Sequence, residues 1–179
     1  MGPLPLNATQ SRKRDAAVRH LGSLPQCATW VWSDGSVEGG ITNGGAGVFI
    51  EDPDGREHLL TVPAGDTCIS YRAELVALRE ALRFLLEQPA SPHTEPVVSC
   101  TDSQSALASL RGGPSTQTSL IGGDIWAALR QLAAQGRSVY LQWVPSHCGL
   151  PGNERADELA KQMHANSPGS HTAAPPVPD

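Results

Sequence analysis

The succession of apolar patterns along this chain predicts an α/β fold: a five-stranded mixed sheet flanked by helices, its first three strands antiparallel and its last two parallel. Three observations carry that expectation. A strong turn sequence, Asp52-Pro53-Asp54-Gly55, separates two β-favouring segments, Gly44 to Glu51 and Arg56 to Ala64, as in an antiparallel hairpin. A leucine stripe then repeats at helical spacing between Ser70 and Gln88. Beyond it, strand-like and helix-like segments alternate, which is the order of parallel strands joined by helical crossovers.

Residues 1–25 mix Pro, Gly and polar residues with a basic cluster, Arg12-Lys13-Arg14 plus Arg19 and His20, and show no sustained periodicity. A flexible arm is expected there, with one short helix over Asp15 to Leu21. It would be either a solvated leader or an arm that contacts nucleic acid or directs nuclear import. Thr29, Trp30, Val31 and Trp32 form an apolar run that suits a strand buried on both faces. The run stops at Asp34-Gly35-Ser36, so a carboxylate is expected at the end of a core strand, with Gly35 leaving the backbone open to a ligand.

After the hairpin, Leu75, Leu78, Leu82, Leu85 and Leu86 share one stripe, Arg79, Glu80, Arg83 and Glu87 lie elsewhere, and Pro89 stops the helix. Pro96 to Thr101 reads as a short apolar strand. Asp102-Ser103 can cap a helix over Gln104 to Leu110, and Gly112-Gly113-Pro114 breaks the chain. A helix over Asp124 to Ala134 carries Ile125, Leu129 and Leu132 on one side and ends at Gly136. Ser138 to Val144 alternates as a strand, Pro145 to Gly152 is a loop, and Asn153 to His164 is a last helix. Residues 167–179, rich in Pro with Gly and Ala, read as a disordered tail, which leaves one domain over residues 26–166.

A chain of 179 residues with 39% hydrophobic content and a mean hydropathy of -0.25 suits one globular domain. No apolar run approaches the roughly 20 residues of a membrane span, and Met1 to Leu6 is too short and Pro-broken for a secretory leader. The expected location is inside the cell, in cytoplasm or nucleus. Cys27, Cys68, Cys100 and Cys148 lie far apart without paired spacing, which argues against a zinc module or redox dithiol and leaves free thiols. Cys148 beside His147 makes a poor nucleophile and base, because sequence neighbours in a Pro-Gly-rich loop seldom face each other. A net charge of -5 and a pI near 5.6 argue against a binder that works by phosphate neutralisation alone. They do not argue against a nuclease, since carboxylates gathered to hold cations lower the charge of the metal-free protein.

Four carboxylates stand at element edges: Asp34 after the first strand, Glu74 in the first turns of the long helix, Asp102 after the fourth strand, Asp157 in the first turns of the last helix. Each alone fits a solvated acid. Together they offer the oxygen donors that Mg²⁺ prefers over nitrogen or sulfur, where strand ends and helix starts meet in such a sheet. The motifs around them are specific. Ser33-Asp34-Gly35-Ser36, Tyr71-Arg72-Ala73-Glu74-Leu75, Cys100-Thr101-Asp102-Ser103-Gln104-Ser105-Ala106 and Trp143-Val144-Pro145-Ser146-His147-Cys148-Gly149, running into Gly152-Asn153-Glu154-Arg155-Ala156-Asp157, resemble type 1 ribonuclease H. The resemblance runs from about Ala28 to Asn166 and is nearest to the ribonuclease H domains of non-LTR retrotransposon polyproteins.

The resemblance implies a ribonuclease H-like fold and a metal-dependent endonuclease that hydrolyses the RNA strand of RNA–DNA hybrids with two Mg²⁺ ions, or Mn²⁺ in their place. It implies that Asp34, Glu74, Asp102 and Asp157 ligate metal, with Asp34 bridging, and that His147 assists proton transfer or product release from its loop. Glu74 would also sense the ribose 2′-hydroxyl, the group that distinguishes RNA from DNA. By the same carry-over, substrate contacts fall on Gly35, Ser36, Asn43, Ser70, Ser103 and Gln104. The implied partner is an RNA–DNA hybrid, with no membrane; the implied state is a monomer, whether free-standing or derived from a polyprotein with a reverse transcriptase. Two departures stand out. Ser70 and Tyr71 occupy positions where many cellular members have paired asparagines, and between Asp102 and Trp143 the only cations are Arg111, Arg130 and Arg137, where some members carry a basic extension. The alternative reading is a catalytically inactive module of the same fold that binds or tethers nucleic acid; the presence of all four carboxylates and the histidine weighs against it.

Overall fold

The computed structural model describes residues 5–39, 42–89 and 94–165; the tail expected over residues 167–179 lies outside them. Strands β1 (Thr29–Glu38), β2 (Thr42–Glu51) and β3 (Glu57–Thr67) form an antiparallel meander. Strands β4 (Val97–Thr101) and β5 (Val139–Trp143) join parallel to β1, in the order β3-β2-β1-β4-β5. This is the mixed five-stranded sheet that the patterning predicts. The β2–β3 turn closes as its sequence demands: Asp52 N–H donates to the Arg56 carbonyl at 2.8 Å, and Gly55 takes the left-handed φ of 86°.

One boundary matters for function. β1 does not end at Asp34 but runs on to Glu38, because β2 keeps supplying antiparallel partners: Gly47 opposite Asp34, Ala46 opposite Gly35, Gly45 opposite Ser36. What ends there is the parallel pairing with β4, whose last pair is Ser33 with Thr101. Asp34 is thus a mid-strand residue at the point where β4 leaves the sheet, and Asp102 is the residue on which β4 leaves.

Helices cover both faces. α2 (Ser70–Glu87), α3 (Gln104–Leu110) and α4 (Leu120–Ala134) enclose the larger core on one side, in which Val31, Val48, Ile50, Leu82, Ile125 and Leu132 are fully buried. Each such side chain contributes about 1.5–3 kcal/mol relative to exposure. α2 stops because Gln88 precedes Pro89 and is held extended, at φ -64° and ψ 144°. α4 begins four residues before the expected Asp124: Ser119 caps it by accepting the Gly122 N–H at 3.1 Å, and Gly122-Gly123 interrupts the apolar period that would have revealed the extra turn. α5 (Pro151–Ala165) starts two residues early for a simpler reason, since proline is well suited to the first helical position.

The N-terminal arm requires a larger correction. Over Ala8–Gly22 it is a helix, α1, longer than the expected turns at Asp15 to Leu21. Asn7 and Gln10 form a reciprocal capping box, Asn7 Oδ1 accepting from Gln10 N at 2.8 Å and Gln10 Oε1 from Asn7 N at 3.0 Å. Ala17, Leu21 and the following Leu24 pack on a second cluster of Val98, Cys100, Val144 and Leu150, on the face of the sheet that carries Trp30 and Trp32. No helix among the described residues is long and apolar enough to cross a membrane, and all four cysteines are free thiols.

Candidate metal centre

Asp34, in mid-strand on β1, and Asp102, just past the end of β4, lie at the same level of neighbouring parallel strands, and Glu74 reaches them from α2. Together they place one oxygen each within 4.8 Å of the others. Two glycines let the helices come that close. Gly35 faces α2, and a Cβ there would collide with the backbone of Ala73 and Glu74. The glycine therefore makes room for the helix that delivers Glu74, and not for a ligand as its sequence context suggests. Gly47, directly across from Asp34, plays the same part for α5: a Cβ would strike the Ala156 carbonyl and the Ala160 nitrogen. The close approach of α5 brings Asp157 into hydrogen-bonding contact with Asp34.

Four carboxylates this close cannot all be ionised without a cation. Burial, followed by the negative charges of Glu74 and Asp102, drives the Asp34 carboxyl far above the carboxylate range. Burial and the charge of Asp102 push Glu74 up to about 8. Asp102 is also raised, by burial, against the opposing pull of Asn153 and His147. Asp157 goes the other way: burial would raise it, but hydrogen bonds from Lys161 and Asp34 prevail and hold it low. Lys161 Nζ lies 2.8 Å from Asp157, one helical turn further along α5.

The donor set fits a hard divalent cation. It consists of carboxylate oxygens alone, and Glu74 Oε2 is buried without a hydrogen-bond partner among the described residues. An orphaned anionic oxygen of this kind is costly unless positive charge meets it. Such a cluster can chelate a divalent metal.

The remaining sequence-derived positions scatter around this centre. His147 is exposed in the loop between β5 and α5, in a left-handed conformation with φ 54°, and stands near enough to Asp102 and Asp157 to favour their ionised forms. Ser103 caps α3, accepting the Ala106 N–H at 3.2 Å, and Gln104 lies exposed in the first turn. Ser36 is half-buried on β1 and Ser70 opens α2 in the solvent. Asn43, with φ 48°, turns its amide onto Glu38 at 3.0 Å. Cys148 is buried with its thiol on the Ser146 carbonyl, while its neighbour His147 is exposed.

Three residues of the centre were not singled out by sequence reasoning. Asn153, buried at the start of α5, donates Nδ2–H to Asp102 Oδ2 at 3.2 Å. Trp143 donates its indole N–H to the Asp102 carbonyl at 3.2 Å. Lys161 holds Asp157. Its spacing of four from Asp157 was a readable signal, and Asn153 lies inside the Gly152-Asn153-Glu154 motif.

Comparison with known proteins agrees with this geometry. The protein-family model described as RNase H matches residues 26–165. The chain is similar to ribonuclease H of Nitrosococcus oceani, 33% identical over 146 residues that span 76% of this chain and 93% of that protein. It is similar to ribonuclease H of Bordetella pertussis, 32% identical over 143 residues spanning 74% and 86%. It is also similar to ribonuclease HI of Pseudomonas aeruginosa, 31% identical over 148 residues spanning 77% and 94%. With the mixed sheet, the buried acidic cluster and a match over most of its length, the chain belongs to the ribonuclease H family.

Proposed function

We propose that this protein is a metal-dependent endonuclease that hydrolyses the RNA strand of RNA–DNA hybrids, using Mg²⁺ or Mn²⁺. The observation that carries the reading is the set of buried Asp34 and Glu74 with half-buried Asp102, in which one Glu74 oxygen has no hydrogen-bond partner among the described residues. A pair of divalent cations in such a site activates a water and stabilises the leaving 3′-oxygen of an in-line displacement. Asp34, Glu74, Asp102 and Asp157 would hold the ions, with Asp34 in contact with both Glu74 and Asp157. Asp102, held by Asn153 at its side chain and by Trp143 at its carbonyl, keeps a fixed direction. His147 carries a proton between solvent and the leaving group: it is exposed, and it lies beside two of the carboxylates. Glu74, the first helical carboxylate, senses the 2′-hydroxyl, while Ser36, Ser70, Ser103 and Gln104 border the path of the strand and Asn43 lies at its edge. An origin beside a reverse transcriptase belongs to the same proposal and is suggested by the sequence of the His147 loop alone.

A gel assay with end-labelled hybrid, duplex RNA and duplex DNA, with and without Mg²⁺, tests the reading. Cleavage of the RNA strand of hybrid alone, dependent on Mg²⁺ and abolished in Asp34→Asn, is the expected outcome. Tight hybrid binding without cleavage would assign the chain instead to inactive tethering modules.

A further inference from the structure

α1 lies outside the residues that the family model matches, yet it is seated beside the metal centre. Gln10 Nε2 donates to the His147 carbonyl at 3.2 Å, and the His20 ring meets the Gln142 side chain at 2.9 Å. Between α1 and β5 runs a groove of about 270 Å³, with Lys13, Ala17, His20 and Leu21 on one wall and Trp143 and Pro145 on the other. A second groove, lined by Gln104 and Arg111 of the α3 region, opens on the other side of the same Trp143. The indole is thus the ridge between two grooves. It is 39% exposed, a high value for so large an apolar ring, and its N–H is anchored on Asp102, so its position relative to the carboxylates is set.

The charge distribution says what would lie on this ridge. α1 carries four cations, Arg12, Lys13, Arg14 and Arg19, against the single carboxylate Asp15, in a chain whose net charge is -5. Cations of the body are largely consumed: Arg79, Arg83, Arg137, Arg155 and Lys161 are each ion-paired with an acid. On α1, Arg14 pairs with Asp15, and Arg12, Lys13 and Arg19 project from exposed positions. Lys13 lines the first groove and Arg111 the second, so the exposed indole has a cation without an ion pair among the described residues on either side, with Arg12 and Arg19 further along α1; that combination can hold a nucleic-acid strand, the ring stacking on a base while the cations meet phosphates. An apolar peptide would fill the first groove equally well by shape, but it would have no use for the positive rim.

We propose that α1 and Trp143 form a nucleic-acid track that continues from the metal centre, with Trp143 as the stacking platform and Arg12, Lys13, Arg19 and Arg111 as phosphate contacts. The proposal rests on reading the carboxylates as a hybrid-cleaving site, and it locates the grip on substrate in an N-terminal element that the family match does not include.

The test uses the full chain, fluorescein-labelled RNA–DNA hybrid and fluorescence anisotropy in EDTA over a salt series, so that binding is read without cleavage. Replacing Arg12, Lys13 and Arg19 together by Gln should make the slope of log K against log salt shallower by about 2–3, since each lost phosphate contact removes roughly 0.7–0.9. Affinity at low salt should fall at least about tenfold, and in Mg²⁺ the KM for hybrid should rise with kcat held. Trp143→Leu should weaken binding about 5- to 150-fold, and Trp143→Phe should restore most of it. The three α1 side chains are exposed, so their replacement reads binding even if a Trp143 variant fails to fold. An unchanged slope and affinity in the triple variant would overturn the track and give the groove to an apolar partner, while hybrid cleavage by the wild type would stand. If the triple variant loses binding but the wild type never cuts hybrid, the track stands and the cleavage reading falls.

Discussion

Asn153 holds Asp102 by a neutral hydrogen bond inside a cluster where every other close neighbour of that carboxylate is charged or competing for a proton. Because Asn153 is only 4% exposed, water cannot take over its role when the amide is removed. Asn153→Ala should therefore weaken apparent Mg²⁺ affinity about 10- to 100-fold. It should cost the fold about 1–3 kcal/mol for the donor lost to a partly buried carboxylate. A Mg²⁺ titration of cleavage, with thermal melting beside it, checks both, and an unaltered Mg²⁺ midpoint would deny Asn153 any positioning role. Single residues also show where sequence reading stops. The four carboxylates were legible because each sits in its own motif, although Asp34 lies in mid-strand where the parallel pairing with β4 ends. Asn153 was not, because a polar residue at a helix start reads as a cap for the helix, and nothing local says that its amide points across to another strand. Lys161 reads as half of a solvated i,i+4 pair, whereas its partner Asp157 belongs to the acidic cluster around Asp34. Gly35 was legible as special but for the wrong neighbour: the space that it opens is taken by α2.

At the scale of elements, the sheet and its helices were readable wherever a period was long and a breaker followed it, as with the α2 stripe ending at Pro89 or the β2–β3 turn at Gly55. Of α1 only the turns over Asp15 to Leu21 were expected, because the helix has no fully buried residue of its own; its few apolar positions acquire meaning only from Val144 and Leu150, far away in sequence. Those two residues bracket the His147 loop. Gln10 ties the loop's backbone and Leu21 packs on its ends, so Gln10→Ala with Leu21→Ala should speed amide exchange over residues 145–150 and lower melting by a few degrees. Hydrogen exchange by mass spectrometry reads the first effect. Protection unchanged in that loop would show that α1 merely rests on it. The β1–α2 contact admits a sharper test. Gly35→Ala forces the backbone of Ala73 and Glu74 away from the sheet, at a cost of about 1–3 kcal/mol or more, and metal affinity should fall with stability because Glu74 moves with its helix. Titration calorimetry with Mn²⁺, beside a melt, checks this. A variant that melts normally and binds metal normally would show that the helix can tilt without moving its carboxylate.

For the whole molecule, the cluster couples stability to both pH and metal. In the metal-free protein Asp34, Glu74 and Asp102 all have pKa values raised by folding, with burial as the leading cause. A raised carboxylate binds its proton more tightly folded than unfolded, so between the ordinary value of 3.8 and the folded value the native state holds more protons. Stability therefore falls as pH rises through that window, which for Glu74 reaches about 8. Asp157, lowered in the fold, works in the opposite sense only near and below 3.8 and does not cancel the trend. Melting in EDTA should accordingly drop from pH 5 to pH 8. Asp34→Asn keeps the shape of the side chain and removes the most strongly raised group, so its metal-free melt should lie higher at pH 8 and depend less on pH. Metal reverses the order. Mg²⁺ at about 100 times its dissociation constant should stabilise the wild type by about 2.7 kcal/mol, while Asp34→Asn, deprived of the carboxylate that contacts two others, should gain little and should not cut hybrid. Melting curves at several pH values, in EDTA and in Mg²⁺, separate the possibilities. If the variant unfolds in EDTA, or melts below the wild type at pH 8, Asp34 is a structural part of β1 and the repulsion that metal relieves lies elsewhere. If both proteins gain equally from Mg²⁺, the cation is not bound at this cluster.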